Sequence, residues 1–451
     1  MRPGSMRAIL VLLTASSVPV AAAAQDAHYW TYQYGDRAAL LGGTVVGSAV
    51  DLSAVYYNPG ALALLERPDL IAAARTLELA SVRISGTGTA GYDANEDRFS
   101  VAPGFFAGLI PLHALGRHRL GYSLLTRHRF RLRLNTTEVS VGDVLDPPVE
   151  AEDLLGTVRL DAELNETWGG LTWAMPLGGT VGIGVSQYVA ARGQRSSSYL
   201  LAEIFDTAGV AQIGLVDEGY EYYSYRTLWK VGVAARWSHA SVGLTATTPS
   251  VRIFGSGKHE TNVTGFDAAA GSGAQVFVAD FQEKRAATYR SPLSVAAGAS
   301  WALGATRLHA AAEWFGGEDE ADVLDLVPYI GQSTGDTVVP RVTQKSRPVV
   351  NIGLGVEQHF DAETRVYASV RTDRSAAEPV SGSNVSITSW DIYFLTFGAS
   401  FRMVGASVTL GVGYGFGSQA QQLDPPSEGG LLPDTVDTKY RNYRLFFALA
   451  F

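Results

Sequence analysis

The chain has 451 residues, a formal net charge of −9 and no cysteine. Without thiols there is no disulfide framework, no thiolate metal site and no lipoprotein anchor at a mature terminus. The acidic balance and the lack of a basic cluster argue against a nucleic-acid partner. Mean hydropathy is near neutral at +0.07, alongside 49 glycines, 20 tyrosines and 18 phenylalanines. Beyond the first residues no run reaches the ~20 apolar residues a spanning helix needs, so the pattern suits many aromatic-bearing strands instead.

Arg2 and Arg7 precede an apolar stretch from Ala8 to Val20 that Thr14, Ser16, Ser17 and Pro19 interrupt. Ala22-Ala23-Ala24 then offers a small-x-small cleavage site before Gln25. Residues 1–24 therefore read as a secretory signal peptide and not as an anchor. Residues 25–67 do not alternate. They are rich in small residues from Tyr34-Gly35-Asp36 to Ala61-Leu62-Ala63, a composition suited to short helices packed inside something. Within them Asn58-Pro59-Gly60 is a turn signal, since Pro fixes φ, Asn bonds its own backbone and Gly permits positive φ. Two readings stand for this triplet: a turn between short helices, or a gating element.

From Pro68 onward the chain alternates with period two. Hairpin-sized connections at His113–Gly116, Leu177–Gly179, Ser238–Ala240, Leu303–Ala305, Asp361–Glu363 and Val404–Ala406 alternate with seven long, polar, glycine-rich stretches. Six tight turns and seven long loops make thirteen connections, hence fourteen strands over residues 68–451. An even strand number with short turns on one side and long loops on the other is the pattern of an outer-membrane barrel. Individual strands support it. Val350, Ile352, Leu354 and Val356 oppose Asn351, Gly353, Gly355 and Glu357, and Trp229 to Trp237 and Leu293 to Trp301 place tryptophans at the ends of apolar faces, where an interfacial girdle belongs. The fold class expected is all-β, a closed antiparallel transmembrane barrel with the leading segment in its lumen, because unpaired backbone in hydrocarbon costs several kcal/mol per group. A soluble β-sandwich would also alternate, but it explains neither the signal peptide nor the turn–loop rhythm.

In the third strand Arg127, Arg129, Arg131 and Arg133 share one parity, opposite Phe130, Leu132 and Leu134. An arginine facing hydrocarbon costs ~2–4 kcal/mol at mid-membrane, which predicts that the arginines face the lumen. There Arg129 and Arg131 could receive a carboxylate, or pair across to Arg159, Asp161, Glu163 and Asn165 of the next strand. The third outer loop carries Leu200, Leu201, Ile204, Phe205, Val210, Ile213 and Leu215 at roughly helical spacing, and the fourth carries Val263, Phe266, Val276, Phe277, Val278 and Phe281. Such loops form either a capture surface for greasy molecules or a lid buried on itself.

No nucleophile elbow, zinc-spaced histidines or phosphate loop is present, and most histidines, including His113, His118, His239, His309 and His359, fall near the short turns, so no catalysis, cofactor or metal is expected. The acidic run Glu318-Asp319-Glu320 with Asp322 and Asp325 lacks ligand spacing and reads as a solvated loop.

The last strand closes the argument. Tyr443, Leu445, Phe447, Leu449 and the terminal Phe451 form one apolar face, while the other turns polar through Phe446, Arg444 and Asn442. An aromatic carboxyl terminus of this kind resembles the closing strand of bacterial outer-membrane barrels. The run Asp51-Leu52-Ser53-Ala54-Val55-Tyr56-Tyr57-Asn58-Pro59-Gly60-Ala61-Leu62 resembles the hatch of the long-chain fatty-acid outer-membrane transporters of the FadL/TodX type, with Gly60 where many members carry alanine. The resemblance implies fourteen strands around a plug of residues 25–67. It also implies a monomer among outer-membrane lipid and lipopolysaccharide. Passive uptake of a hydrophobic or amphipathic small molecule would start at the third and fourth outer loops. Two other readings keep the architecture: a non-transporting barrel that anchors or assembles secreted proteins, and a hydrophilic porin, which a plug would block.

Overall fold

The computed structural model describes residues 28–450 except 66–70, 73–74, 88–92, 103, 112–115, 143–151, 206–210, 268–273, 379–389, 404–405 and 423–434. The expected signal peptide, the turn at His113 and the terminal Phe451 lie outside the described residues. The leading segment holds three short helices, α1 (Asp36–Leu40), α2 (Ala54–Tyr57) and α3 (Pro59–Leu62). Asn58 ends α2 and caps α3: its backbone is extended and its Oδ1 accepts the Gly60 N–H at 3.0 Å. Pro59 takes the first helical position, where its missing N–H costs nothing.

The strands follow in chain order. First come β1 (Ile71–Ala72), β2 (Arg75–Thr87), β3 (Asp93–Ala102), β4 (Phe105–Ile110), β5 (Arg119–Gly142), β6 (Glu152–Leu177), β7 (Val181–Phe205) and β8 (Ala211–Arg236). Next are β9 (Ala240–Thr247), β10 (Val251–Asp267), β11 (Ala274–Ala286), β12 (Ser294–Leu303) and β13 (Thr306–Phe315). A long connection carries β14 (Glu318–Asp322), β15 (Tyr329–Ile330), β16 (Thr337–Val338) and β17 (Thr343–Ser346). Last are β18 (Val349–His359), β19 (Arg365–Asp373), β20 (Ile392–Met403), β21 (Ala406–Gln422) and β22 (Thr435–Ala450). Eighteen of these form one antiparallel sheet. Its ladders run from β4 through β5, β6, β7, β8, β9, β12, β13, β18, β19, β20 and β21 to β22, and β22 pairs with β2, from Arg75↔Phe447 to Thr87↔Thr435. The last strand thus lies beside the first long one. Among the described residues no helix is long and apolar enough to cross a membrane.

One face of the sheet is bare and greasy. Leu354 is 55% exposed, Val412 55% and Trp301 57%, in company with Val231, Val233, Trp237, Ile352, Leu445 and Phe447. The expected outward sets of β8, β12, β18 and β22 are these residues. The other face is covered by the leading segment: Leu40, Leu41, Leu52, Val55 and Leu62 are buried against Phe105, Leu125, Trp168, Tyr188 and Leu228.

The arginine ladder requires a correction. Between Thr126 and His128 the β5–β6 register shifts by one residue. A bulge of this kind exchanges the two faces of everything beyond it. Ser123 and Leu125 are covered below it; above it His128, Leu132 and Leu134 are covered, the leucines packing on Val82, Trp390, Ile392 and Phe394. Arg129, Arg131 and Arg133 therefore share the opposite, bare-face parity. The cross-strand partners are those expected, Arg131 opposite Glu163 and Arg133 opposite Asp161, with an exposed ion pair of 2.9 Å at the latter.

The long stretches between strands are also more regular than their composition suggested. Residues 199–205 and 211–216 are strand and not helix; β7 and β8 run as a paired ladder out to Phe205↔Ala211. β10 and β11 likewise pair out to Asp267↔Ala274.

Candidate functional site

The leading segment touches the sheet backbone to backbone. A Cβ on Gly60 would stand 2.6 Å from the Gly182 carbonyl oxygen and 2.7 Å from that of Gly232. Hydrogen bonds fix the same spot: Asn58 Nδ2 donates to the carbonyls of Val46 and Val233, both at 2.9 Å. The Asn58-Pro59-Gly60 triplet is thus a turn between α2 and α3, seated on β7 and β8.

Elsewhere the sheet holds this segment by its carbonyls. Six buried or half-buried cations donate to it. Arg127 reaches Tyr29 O at 2.6 Å, Arg444 reaches Thr31 O at 2.7 Å, Lys230 reaches Tyr56 O at 2.9 Å and Arg119 reaches Leu62 O at 3.1 Å. Arg236 bridges Ala49 O at 2.8 Å and Leu64 O at 3.2 Å, and Arg371 binds Trp30 O and Thr31 O. Asp373 completes the grip from the acidic side, accepting the Trp30 N–H at 2.8 Å and the Thr31 hydroxyl at 2.9 Å. A charged donor on a neutral carbonyl is a strong, directional bond in a buried site. Midway along the segment Arg37 pairs with Glu357 at 2.6 Å, and Ser48 Oγ lies 2.9 Å from His309 Nδ1. Burial and the nearby Asp51 raise the Asp36 carboxyl, beside Arg37 in the segment, to a pKa of about 6.

Three cavities surround residues 28–33. One of about 40 Å³ is lined by His28, Tyr32, Glu78, Arg98 and Trp390 and by the predicted Arg129 and Arg131, which border it from the seam. Another of about 20 Å³ touches Trp30, Gln33 and Tyr57, and a third of about 30 Å³ lies among Tyr29, Tyr56, Arg127, Trp168, Lys230 and Tyr289. Each has room for a few waters at most. On the wall of the third, Glu166 is fully buried between Arg192 at 3.0 Å and Arg226 at 2.8 Å and accepts the Trp168 indole N–H at 2.6 Å.

A seam borders the first cavity. Among the described residues β3 and the upper half of β5 share no ladder, and side chains bridge them instead. Arg98 donates to Arg131 O at 2.7 Å, Arg129 donates to Val101 O at 3.1 Å, and the Arg133 N–H donates to Glu96 at 2.5 Å. Backbone groups that would otherwise lie unpaired are satisfied in this way.

The apolar loop candidates divide by strand parity. Leu200 and Ile204 take the covered face, where Leu200 heads a row with Val216, Val263 and Val278. Leu201, Phe205, Phe266 and Phe277 take the bare face, and the row Leu201–Leu215–Thr264–Phe277 crosses four strands. Four of the six candidates thus share one surface.

No protein-family model matches the chain, and no curated protein sequence is similar to it. Solved structures are. A Pseudomonas aeruginosa FadL homologue superposes with a TM-score of 0.57 at 14% identity, covering 93% of this chain and 99% of that one. The P. putida toluene transporter TodX gives 0.54 at 12% identity, over 92% and 97%. A TodX variant described as a monoaromatic hydrocarbon channel gives 0.57 at 11% identity, over 92% and 98%. The fold is that of FadL and TodX.

Within this FadL-type fold, sequence reasoning placed Arg127 and Glu357 on the covered side but missed Glu166, Arg192, Arg226 and the other five carbonyl-binding cations. A charged residue on the covered parity of a strand, such as Arg226, was the available signal. Arg341 was also missed; it pairs with Glu320 at 2.8 Å and Asp322 at 2.9 Å within the acidic run.

Proposed function

We propose that the chain is an outer-membrane transporter for passive uptake of hydrophobic or amphipathic small molecules, with residues 25–67 as a hatch inside a fourteen-stranded barrel. The ladder between β22 and β2 brings the last strand beside the first long one, side-chain bonds in place of a ladder span the seam between β3 and β5, and the greasy bare face supports a lipid surrounding. Counting β1 with β2, β3 with β4, β9 with β10 and β11 with β12 as single bent strands, and setting the short strands of the 316–346 connection aside, reduces the sheet to fourteen. Ligand is captured from water on the Leu201–Phe205–Phe266–Phe277 surface. It passes inward past Tyr289 and Trp168 and leaves where the hatch yields, downward or through the β3–β5 seam. The neighbours whose names describe toluene and monoaromatic hydrocarbon transport support this class of cargo.

The observation that carries the reading is the placement of the cavities. All three lie around residues 28–33, the stretch held by side chains. Residues 58–60 rest instead on backbone. Both stretches are held, Asn58-Pro59-Gly60 by backbone contact and residues 28–33 by charged side chains whose bonds can be exchanged for ligand contacts as the hatch moves. The test is uptake of radiolabelled oleate and toluene by cells that express the protein. Saturable uptake of either supports the reading, and rates equal to those of cells without it refute it. Planar bilayers should show little steady ion conductance, against a porin.

The small volume of these cavities favours a second reading, a non-transporting monomeric barrel that anchors or assembles secreted proteins. It expects no uptake of either probe and no bound detergent or lipid tail inside the barrel.

A further inference from the structure

The connection between β13 and β18 is not an idle loop. Its strands β14 and β17 pair into a small two-stranded sheet with two unlike sides. Val323, Leu324 and Val342 are buried against Tyr220, Tyr222, Ala287 and Tyr289 of the large sheet. The other side carries Glu320, Asp322 and Arg341 in water.

Its attachment is unusual. Between residues 318 and 345, main-chain bonds to the wall fall at only two places: Thr288 N–H to Val323 O at 2.8 Å with Asp325 N–H to Ala286 O at 3.0 Å, and Ser333 N–H to Phe277 O at 3.1 Å. Along the rest of β11 and just beyond it, side-chain amides stand in for a paired strand. Gln332 accepts the Ala279 N–H at 2.8 Å and donates to Ala279 O at 2.7 Å. Gln344 does the same to Arg290, at 2.8 and 3.2 Å. Gln282 reaches the other way, to the N–H and O of Val327 at 2.9 and 2.7 Å. A strand ladder forms and breaks cooperatively, whereas these three clamps can each exchange with water singly. Gly316-Gly317 precedes the connection and Pro348 follows it.

Beneath the segment lies the charged interior. The Tyr289 ring is 3.8 Å from the Arg192 guanidinium and 4.7 Å from that of Arg226. Both arginines bind Glu166, which holds Trp168, and Trp168 lies 6.4 Å from the Tyr56 ring of the leading segment.

We propose that residues 318–346 are a lid, closed in this structure over Tyr220, Tyr222 and Tyr289, which pivots on Gly316-Gly317 and Pro348 and admits molecules to the third cavity, lined by Tyr289 and Trp168. The assignment rests on the uptake reading for its purpose and on the three glutamine clamps for its mechanism. The clamps hold the lid without fusing it to the sheet. Opening withdraws Val323 and Leu324 from the tyrosines and uncovers the route to Glu166 and the cavity below.

The chain has no cysteine, so Thr247→Cys, on the wall of the third cavity, supplies a single reporter thiol. Its reaction with a membrane-impermeant maleimide, applied to intact cells, reads lid opening with no transported ligand. Replacing all three glutamines (Gln282→Leu, Gln332→Leu, Gln344→Leu) should raise the labelling rate about tenfold or more, as loss of local closing contacts does. Ala287→Cys with Leu324→Cys, added to the reporter at a facing antiparallel pair, should cross-link and cut the rate by a similar factor until reductant restores it. Equal rates in clamped, unclamped and cross-linked proteins overturn the lid, as does failure of the pair to cross-link. Lid-dependent labelling in a protein that takes up neither oleate nor toluene would leave the lid standing and remove only the uptake reading.

Discussion

The carbonyl oxygen of Gly182 occupies the place where a side chain on Gly60 would begin, 2.6 Å from the position of its Cβ. Alanine at Gly60, the residue common in the proteins this segment resembles, is therefore not a silent exchange here. Gly60→Ala should destabilise the protein by ~1–3 kcal/mol, the usual cost of overpacking. Urea unfolding in detergent micelles measures it. Unchanged stability would mean that the segment does not rest on β7.

Glu166 neutralises two buried guanidinium groups at once. Glu166→Ala strands both charges and should cost ~3–5 kcal/mol, the range for breaking a buried pair from one side. Glu166→Gln keeps an acceptor for the Trp168 indole and should cost less. Heat-modifiability on gels ranks the two.

Arg129 and Arg131 lie on the bare-face parity of β5, beside the seam. Arg129→Ala and Arg131→Ala should slow uptake of oleate and toluene alike, or neither, because both residues border the first cavity as bridges across the seam, Arg129 donating to Val101 O and Arg131 O accepting from Arg98. Loss confined to oleate would restore the carboxylate-receiver role.

A charge on the greasy face tests the lipid boundary. Leu354→Arg, mid-strand on β18, should cost ~2–4 kcal/mol in refolding into liposomes. Thr372→Arg, near the end of β19, should cost less. Equal, small effects would argue against a hydrocarbon surrounding.

Asp36 has a pKa of about 6 in the folded chain against an ordinary 3.8, through burial and the charge of Asp51. Its neutral form is the favoured one. The associated stability is present in full below about pH 4 and is lost as pH rises through about 6. Asp36→Asn should flatten that slope in melting temperatures recorded across this window.

What could be read in advance, and what could not, follows from where the information sits. The faces of β12, β18 and β22 were legible because Leu293, Val350 and Tyr443 start uninterrupted alternations that both neighbours hold in register. The face of Arg129 was not. One unpaired residue between Thr126 and His128 reverses parity, and nothing in the local composition marks it. The extended hairpin at Phe205 and Ala211 was hidden for another reason. Both of its faces carry apolar side chains, Leu200 and Ile204 on one and Leu201 and Phe205 on the other, so the run shows no period of two although the ladder persists. The covered parity of Arg127, Arg371 and Arg444 marked them as inward charges, but not what they grip, because their acceptors on the leading segment are peptide oxygens.

That last arrangement has an evolutionary corollary. Every amino acid carries the same carbonyl, so Tyr29, Trp30, Thr31 and Tyr56 can each be exchanged while the wall keeps its hold. The linings of the three voids are free to diverge among descendants, and the anchorage is inherited unchanged.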